Sequence, residues 1–365
     1  MTADDAPLQK KTKVFVLLGQ SNMVGMGTVE GEETDGSLQH AVKTENMYRY
    51  LVNSEDGAWK EVIDPHVRNI FTMGSGNGDG DIKKNEWLTV RNTKTIGPEI
   101  GIGCVLGKWM ASKTCRDSDV GENLEEDDDE IVLLKSCTGN RSLGWDLLPP
   151  GSPSFEYTDE KTGKKWIYAG YKESPSRWEA GADPIPDDAW YAGVQYDGDI
   201  HRAKMVLANL SKHMPNANTR TKTQCEYEVA GFLFWQGDKD RYDMAYASRY
   251  KENLVRLIRN LRVEFASPNA KFVLATLGQT SKESGDSKPA GADRLIFNAQ
   301  MEVSELAEFI GNTACVYSKP FCHGGASNGH YNHNAETYMD VGLEMGRALV
   351  NLLDDAEDKS STRSS

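Results

Sequence analysis

Ser21 stands where a serine can act as a nucleophile. In "FVLLGQSNMVGMG", residues 15–27, the apolar run Val14–Leu18 is broken by Gly19, and the polar trio Gln20-Ser21-Asn22 precedes Met23. A strand that ends in glycine and turns tightly into a helix leaves a side chain at the carboxyl edge of a sheet. The same letters also read as an ordinary turn with Ser21 as a helix N-cap. Three further stretches carry complementary groups. "CTGNRSLGW" offers backbone N–H groups at Gly139 and Asn140, a pairing suited to an oxyanion, with Arg141 and Trp145 close behind. "WQGDKD" carries Gln236 as a side-chain donor and the carboxylates of Asp238 and Asp240, and "FCHGGASNGHYNHNAETY" carries His323, His330 and His333. A hydroxyl, a histidine to take its proton, a carboxylate to orient the histidine and N–H donors for the tetrahedral intermediate are the parts of acyl transfer.

These stretches need a scaffold that brings them to one edge. Apolar runs of strand length fall at Val14–Leu18, Ile131–Lys135, Ala230–Trp235, Phe272–Leu277 and Ala314–Tyr317. Helical patterns cover Glu99–Met110, Ile200–Lys212, Ala245–Phe265, Ala292–Phe309 and Asn334–Leu353. Strands apolar on both sides that alternate with amphipathic helices predict an α/β fold, a three-layer α/β/α sandwich around a parallel sheet. In such a sheet, ligands bind beyond the carboxyl ends of the strands, where each of the four chemical stretches begins.

One domain over residues 13–353 is expected, with flexible termini at 1–12 and 354–365. Two stretches break the rhythm as long insertions, at about 28–95 and 139–190. The second holds Trp145, Trp166, Trp178 and Trp190 among several tyrosines. This aromatic supply suits stacking on sugar rings, or else forms a small core of the insertion. "EEDDDE", residues 125–130, reads as a solvated loop.

The net charge of -14 over 365 residues excludes a nucleic-acid partner, which selects basic surfaces. No apolar run approaches the roughly 20 residues that span a bilayer, so membrane insertion is not expected. The six cysteines are scattered and match neither a zinc ribbon nor a redox pair. Cys322, His323, His330 and His333 do not have zinc-ligand spacing. Asn77, Asp79 and Asp81 alternate like a calcium loop but lack its glycine and closing glutamate. No metal or cofactor is expected. "MTADDAPLQKKTK" has no apolar core of the kind a signal peptide needs.

"GQSNM", "GPEIG" at residues 97–101, "WQGxxD" and "HYNxNAETY" resemble the SGNH-hydrolase superfamily. Within it they are similar to the group of sialic-acid-specific acetylesterases and acetylxylan esterases. The likeness runs from about Lys13 to Leu353. It implies a flavodoxin-like sheet and hydrolysis of acetyl esters on an oligo- or polysaccharide, without a cofactor. Carried over, it makes Ser21 the nucleophile. The backbone N–H groups of Ser21 and Gly139, with Gln236, would form the oxyanion hole, and Gln20 and Asn22 would brace the turn. His330 becomes the base, with His333 as the alternative. The superfamily's usual acid lies three residues before the histidine, where this chain has Ser327. Asp238 is therefore expected to serve, with Asp240 as substitute. Asn140, Arg141 and Trp145 would contact substrate, Arg141 being suited to clamp the carboxylate of an acidic sugar. Because polymeric sugar esters lie outside cells, an extracellular or periplasmic location is expected, with a cytoplasmic one as the alternative. Rival readings are a carbohydrate-binding protein that has lost catalysis, and an esterase for other acyl groups.

Overall fold

The first apolar run forms strand β1 (Thr12–Gly19) in the computed structural model, which describes residues 12–117, 130–187, 189–214, 225–283 and 291–361. Phe15 and Leu17 enter one buried core and Val14, Val16 and Leu18 the other, as period-two alternation on a doubly covered strand requires. Along the chain follow α1 (Ser21–Val24), β2 (Gly27–Thr28), α2 (Leu38–Lys43), β3 (Asp64–Met73), β4 (Asp81–Leu88), β5 (Thr95–Ile96) and α3 (Glu99–Asp117). Next come β6 (Ile131–Ser136), the short strands β7 (Phe155–Thr158), β8 (Lys165–Tyr168) and β9 (Arg177–Glu179), then α4 (Val194–Ala208) and α5 (Leu210–His213). The chain closes with β10 (Tyr227–Trp235), α6 (Met244–Glu264), β11 (Lys271–Ala275), α7 (Ala292–Val303), β12 (Thr313–Val316) and α8 (Ala335–Ser361).

The central sheet has seven strands in the order β12-β11-β10-β1-β6-β3-β4. Its neighbours pair in parallel except the edge pair β3 and β4, which is antiparallel. One core lies between the sheet and helices α3 and α8, with Ile102, Leu106, Met345 and Leu349 inside it. The other lies beneath α4, α6 and α7, with Ile200, Leu254 and Ile296 inside it. The expected three-layer α/β/α sandwich is the fold. Without the β3–β4 hairpin, the strands in chain order follow the flavodoxin-like pattern, with the first strand between the second and third. The chain therefore leaves β1 toward β6 and later returns to β10 on its other side. That reversal opens the crevice in which ligands bind.

Three expectations need correction. Residues 28–95 are not only an insertion, because β3 and β4 extend the main sheet. They escaped the apolar-run reading because β3 buries polar Arg68 and Asn69 between its apolar residues. Arg68 is held by Asn85 of β4 at 2.8 and 3.1 Å. The last helix continues to Ser361, beyond Leu353, because Asp354 accepts the Trp109 indole N–H at 2.9 Å and pairs with Lys113 at 3.0 Å. The helix expected over 292–309 ends at Val303. Most of the acidic run 125–130 lies outside the described residues. No described helix is long and apolar enough to cross a membrane.

Candidate active site

Ser21 is the first residue of the single turn α1, and Gln20 holds the N-cap position without a side-chain cap bond. The N-cap reading of Ser21 is thereby removed. Its Oγ makes no hydrogen bond among the described residues, and 7% of the residue remains exposed. Gly19 is required at the strand end. It has φ +149°, and a Cβ there would stand 2.4 Å from the carbonyl oxygen of Trp235, its partner on β10.

The turn is braced from two sides. Gln20 Oε1 accepts from the Gln236 amide at 3.2 Å and from the backbone N–H groups of Gly237 and Lys239 at 3.4 and 3.3 Å. Lys135 of β6 donates to the Val24 carbonyl at 2.8 Å and to Glu99 at 2.9 Å, with both charged side chains only 2% exposed. Burial pushes the Glu99 carboxyl upward, but the charge and hydrogen bond of Lys135 bring it below its ordinary value. Glu99 lies in "GPEIG", so this motif acts through Lys135 on the end of α1.

Gly139 lies against the serine, since a Cβ built on it would be 3.7 Å from Ser21 Cβ. Asn140 follows in the left-handed region at φ 58°. Gln236, expected as an oxyanion donor, is fully buried and engaged elsewhere. Its Nε2 donates to Asp240 at 2.6 Å, to the Arg141 carbonyl at 2.9 Å and to Gln20, and its Oε1 accepts from the Tyr250 hydroxyl at 2.9 Å. Asp240, the substitute acid, is likewise buried and accepts from the N–H groups of Leu143 and Gly144 at 2.8 and 2.7 Å. Both residues therefore tie the loop after β6 to the end of β10 and do not face the serine as reactive groups. Burial pushes the Asp240 carboxyl up to about 7, against the pull of its three donors.

Arg141 donates to Gln195 Oε1 at 3.1 Å and to Ser75 Oγ at 3.3 Å, and its guanidinium lies 5.0 Å over the Trp190 ring. Trp145 is half-buried against a satellite core of Leu148, Ala169 and Ala192. The small-core reading of the second insertion thus accounts for that tryptophan. Around it β7, β8 and β9 form a separate antiparallel sheet.

His330 lies ahead of α8 in a run of four consecutive left-handed residues, His330, Tyr331, Asn332 and His333, at φ 51, 52, 53 and 57°. Such a run costs roughly 1–2 kcal/mol per residue and needs strong local support. Tyr331 supplies it. Wholly buried, it accepts from Asn22 Nδ2 at 3.1 Å, donates to the Leu277 carbonyl at 2.7 Å and stacks on Trp235 with centroids 5.6 Å apart. His333 Nδ1 meets the Met26 carbonyl at 3.0 Å. The His330 ring hydrogen-bonds neither Ser21 nor Asp238 among the described residues. Burial, followed by the neighbouring His333, holds its pKa below the ordinary 6.5, while the Asp238 charge pulls it upward. Asp238 Oδ1 accepts from Ser327 Oγ at 2.6 Å and from Arg241 Nε at 2.8 Å. Sequence reasoning saw Ser327 only as a missing acid.

The cysteine and histidines around residue 322 gather no set of metal-ligand atoms, and Asp81 pairs with Lys83 at 2.9 Å at the start of β4. The one such set among the described residues is Asp35, His40 and Glu45, with ligand atoms within 4.8 Å on an exposed rim.

A family model described as SASA, carbohydrate esterase, sialic acid-specific acetylesterase, matches residues 11–113 and 203–351, well over half of the chain. No curated protein matches. Among solved structures, a protein of Arabidopsis thaliana is 15% identical at a TM-score of 0.44, with 93% of this chain and 98% of that one covered. A carbohydrate acetylesterase from Xanthomonas citri is also 15% identical, at a TM-score of 0.46. The match covers 93% of this chain and 56% of that one. NanS is 13% identical at a TM-score of 0.37, with 84% of this chain and 78% of that one covered.

Proposed function

Because the chain belongs to the SASA family of carbohydrate esterases, we propose that it is a serine esterase that removes O-acetyl groups from a saccharide. The observation that carries this reading is Ser21 itself: a hydroxyl without a hydrogen-bond partner among the described residues, at the crevice between β1 and β10, with Gly139 against it. In the mechanism, His330 takes the proton of Ser21 Oγ as it attacks the acetyl carbonyl. The backbone N–H groups of Ser21 and Gly139 receive the oxyanion, each worth about 3 kcal/mol of barrier. His330 returns the proton to the departing sugar oxygen, and a water deprotonated by His330 then cleaves the acetyl-enzyme to acetate. Asp238 stabilises the imidazolium. Catalytic contacts that are long in a free enzyme commonly tighten in its substrate complex, which is compatible with His330 and Asp238 acting together. Asn140 and Arg141 border the sugar. Acetylated glycans of this kind are found outside cells, and an extracellular or periplasmic location is part of this reading.

The test is acetate release from 4-nitrophenyl acetate and from acetylated oligosaccharides by the wild type, Ser21→Ala and His330→Ala. Turnover by the wild type and its loss in both variants supports the esterase. Equal turnover in Ser21→Ala ends this assignment, and saccharide binding without any turnover makes the chain a binding protein on an esterase scaffold.

A further inference from the structure

The family match leaves out residues 114–202, and that span holds the β7–β9 sheet and its own small core. It also holds a cavity of about 490 Å³, within the range of small-molecule sites. From this cavity we infer a second saccharide subsite, one that binds a neutral sugar unit of the chain beyond the acetylated residue. The inference rests on the carbohydrate-esterase reading.

The lining argues for the ligand class. Trp178 and Tyr191 provide aromatic surface, and Pro184 and Pro186 provide aliphatic surface. A pyranose presents C–H faces to such walls and hydroxyls around its rim. Lys172, Glu173 and Asp187 supply a donor and acceptors at that rim. One cation against two carboxylates gives no field for an acidic sugar, so the bound unit is neutral.

The walls are fixed before any ligand arrives. Trp178 packs on the satellite core of Leu148, Ala169 and Ala192. Tyr191 donates to Asp197 at 2.9 Å, and the same carboxylate holds Tyr171. A site locked by packing and hydrogen bonds binds without ordering its own side chains.

The cavity is also joined to the reacting centre. Ser174, on its wall, donates to the Trp190 carbonyl at 3.2 Å, and the Trp190 ring lies under Arg141. Arg141 is two residues beyond Gly139. A glycan whose acetyl ester lies at Ser21 would thus extend past Arg141 and Trp190 toward Trp178.

The test has a binding arm that needs no catalysis. Xylohexaose, cellohexaose and mannohexaose are titrated by calorimetry into Ser21→Ala and into the same variant carrying Trp178→Ala or Lys172→Ala. We expect one hexaose to bind, and Trp178→Ala to weaken it about tenfold, the size of one lost aromatic contact. Lys172 is exposed, with its ammonium 5.4 Å over the Tyr171 ring, so weakening by Lys172→Ala at an unchanged urea midpoint separates a subsite from a folding defect. In the kinetic arm, the ratio of kcat/KM on the acetylated hexaose to that on 4-nitrophenyl acetate falls by the same factor in Trp178→Ala. Binding of no hexaose, or equal binding by all variants, overturns the subsite. Absence of turnover on every ester with hexaose binding intact overturns the esterase reading alone.

Discussion

The Asn22 side-chain amide donates to the Tyr331 hydroxyl at 3.1 Å, across 309 residues of chain. It joins the residue after Ser21 to the residue after His330. Tyr331 passes the link on to the Leu277 carbonyl and is the wholly buried member of the left-handed run. The spacing between Ser21 and His330 is thus held by a side chain that hydrogen-bonds neither of them.

Tyr331→Phe tests this link, because it keeps the ring on Trp235 and removes only the hydroxyl. The Asn22 amide and the Leu277 carbonyl then lose a buried partner, at a cost of about 1–3 kcal/mol each when left unsatisfied. We expect the unfolding free energy from urea titration to drop by about 2–6 kcal/mol, the sum of the two losses. We also expect kcat on 4-nitrophenyl acetate to fall roughly tenfold or more, since a misplaced base loses transition-state contact, with KM nearly unchanged. A stability loss with normal kcat would mean that the turn is held without the hydroxyl.

Ser327 and Asp238 make the second prediction. The Ser327 hydroxyl is 2.6 Å from Asp238 Oδ1, so a carboxylate placed at 327 would occupy nearly the same space. Asp238→Asn should lower kcat strongly, and adding Ser327→Asp to that variant should restore part of it. Ser327→Ala removes one hydrogen bond to a charged group, worth about 1.5–3 kcal/mol, or roughly ten- to a hundredfold in kcat if fully expressed in the transition state. Undiminished kcat in Asp238→Asn would remove Asp238 from the role of acid.

His330 and Asp238 set the pH profile of the proposed esterase. The base acts when neutral, and burial holds the His330 pKa below 6.5, so the acid limb of kcat/KM should have its midpoint below that value. Asp238 pulls the His330 pKa upward, so Asp238→Asn should shift the midpoint lower still. A midpoint that rises in that variant would contradict the charge coupling.

The buried Lys135–Glu99 pair makes the next prediction. Lys135→Met leaves a buried carboxylate without its cation and releases the Val24 carbonyl at the end of α1. Breaking such a pair costs about 3–5 kcal/mol, measurable by urea unfolding at pH 7. The Glu99 pKa is depressed in the fold, so its contribution is present above the unfolded value near 4.3 and is lost as pH falls through the folded value. The gap between wild type and variant should therefore narrow toward pH 3.

Much of this was legible in the chain, for identifiable reasons. β1 and β10 read clearly because central strands buried on both faces are continuous apolar runs, and the chemistry follows their ends directly. β3 was missed because an Arg68–Asn85 contact and buried Asn69 replace the apolar pattern. Gln236 and Asp240 have the residue types of a reactive site, and only the hydrogen bonds they make to each other and to Leu143 and Gly144 assign them to bracing. The left-handed run at His330 has no glycine to announce it, since its support arrives from Asn22 and Leu277.

Asp240 carries the last prediction. Its carboxyl is pushed up to about 7 by burial, whereas in the unfolded chain it titrates near 3.9. Between these values the folded state binds more protons than the unfolded one, so folding stability falls as pH rises from about 4 toward 7. Buried Asp199, raised to about 6 chiefly by burial, adds to the decline over the lower part of that window. We expect the urea midpoint to be higher at pH 5 than at pH 8, although Glu99 contributes the opposite slope below pH 4.5. Asp240→Asn should flatten the slope. It should also lower stability at both values, because the amide keeps one acceptor oxygen and its NH2 would face either the Gly144 N–H or the donors of Leu143 and Gln236. A wild-type midpoint that stays level from pH 5 to 8 would mean that those three donors, and not burial, govern the charge of this carboxylate.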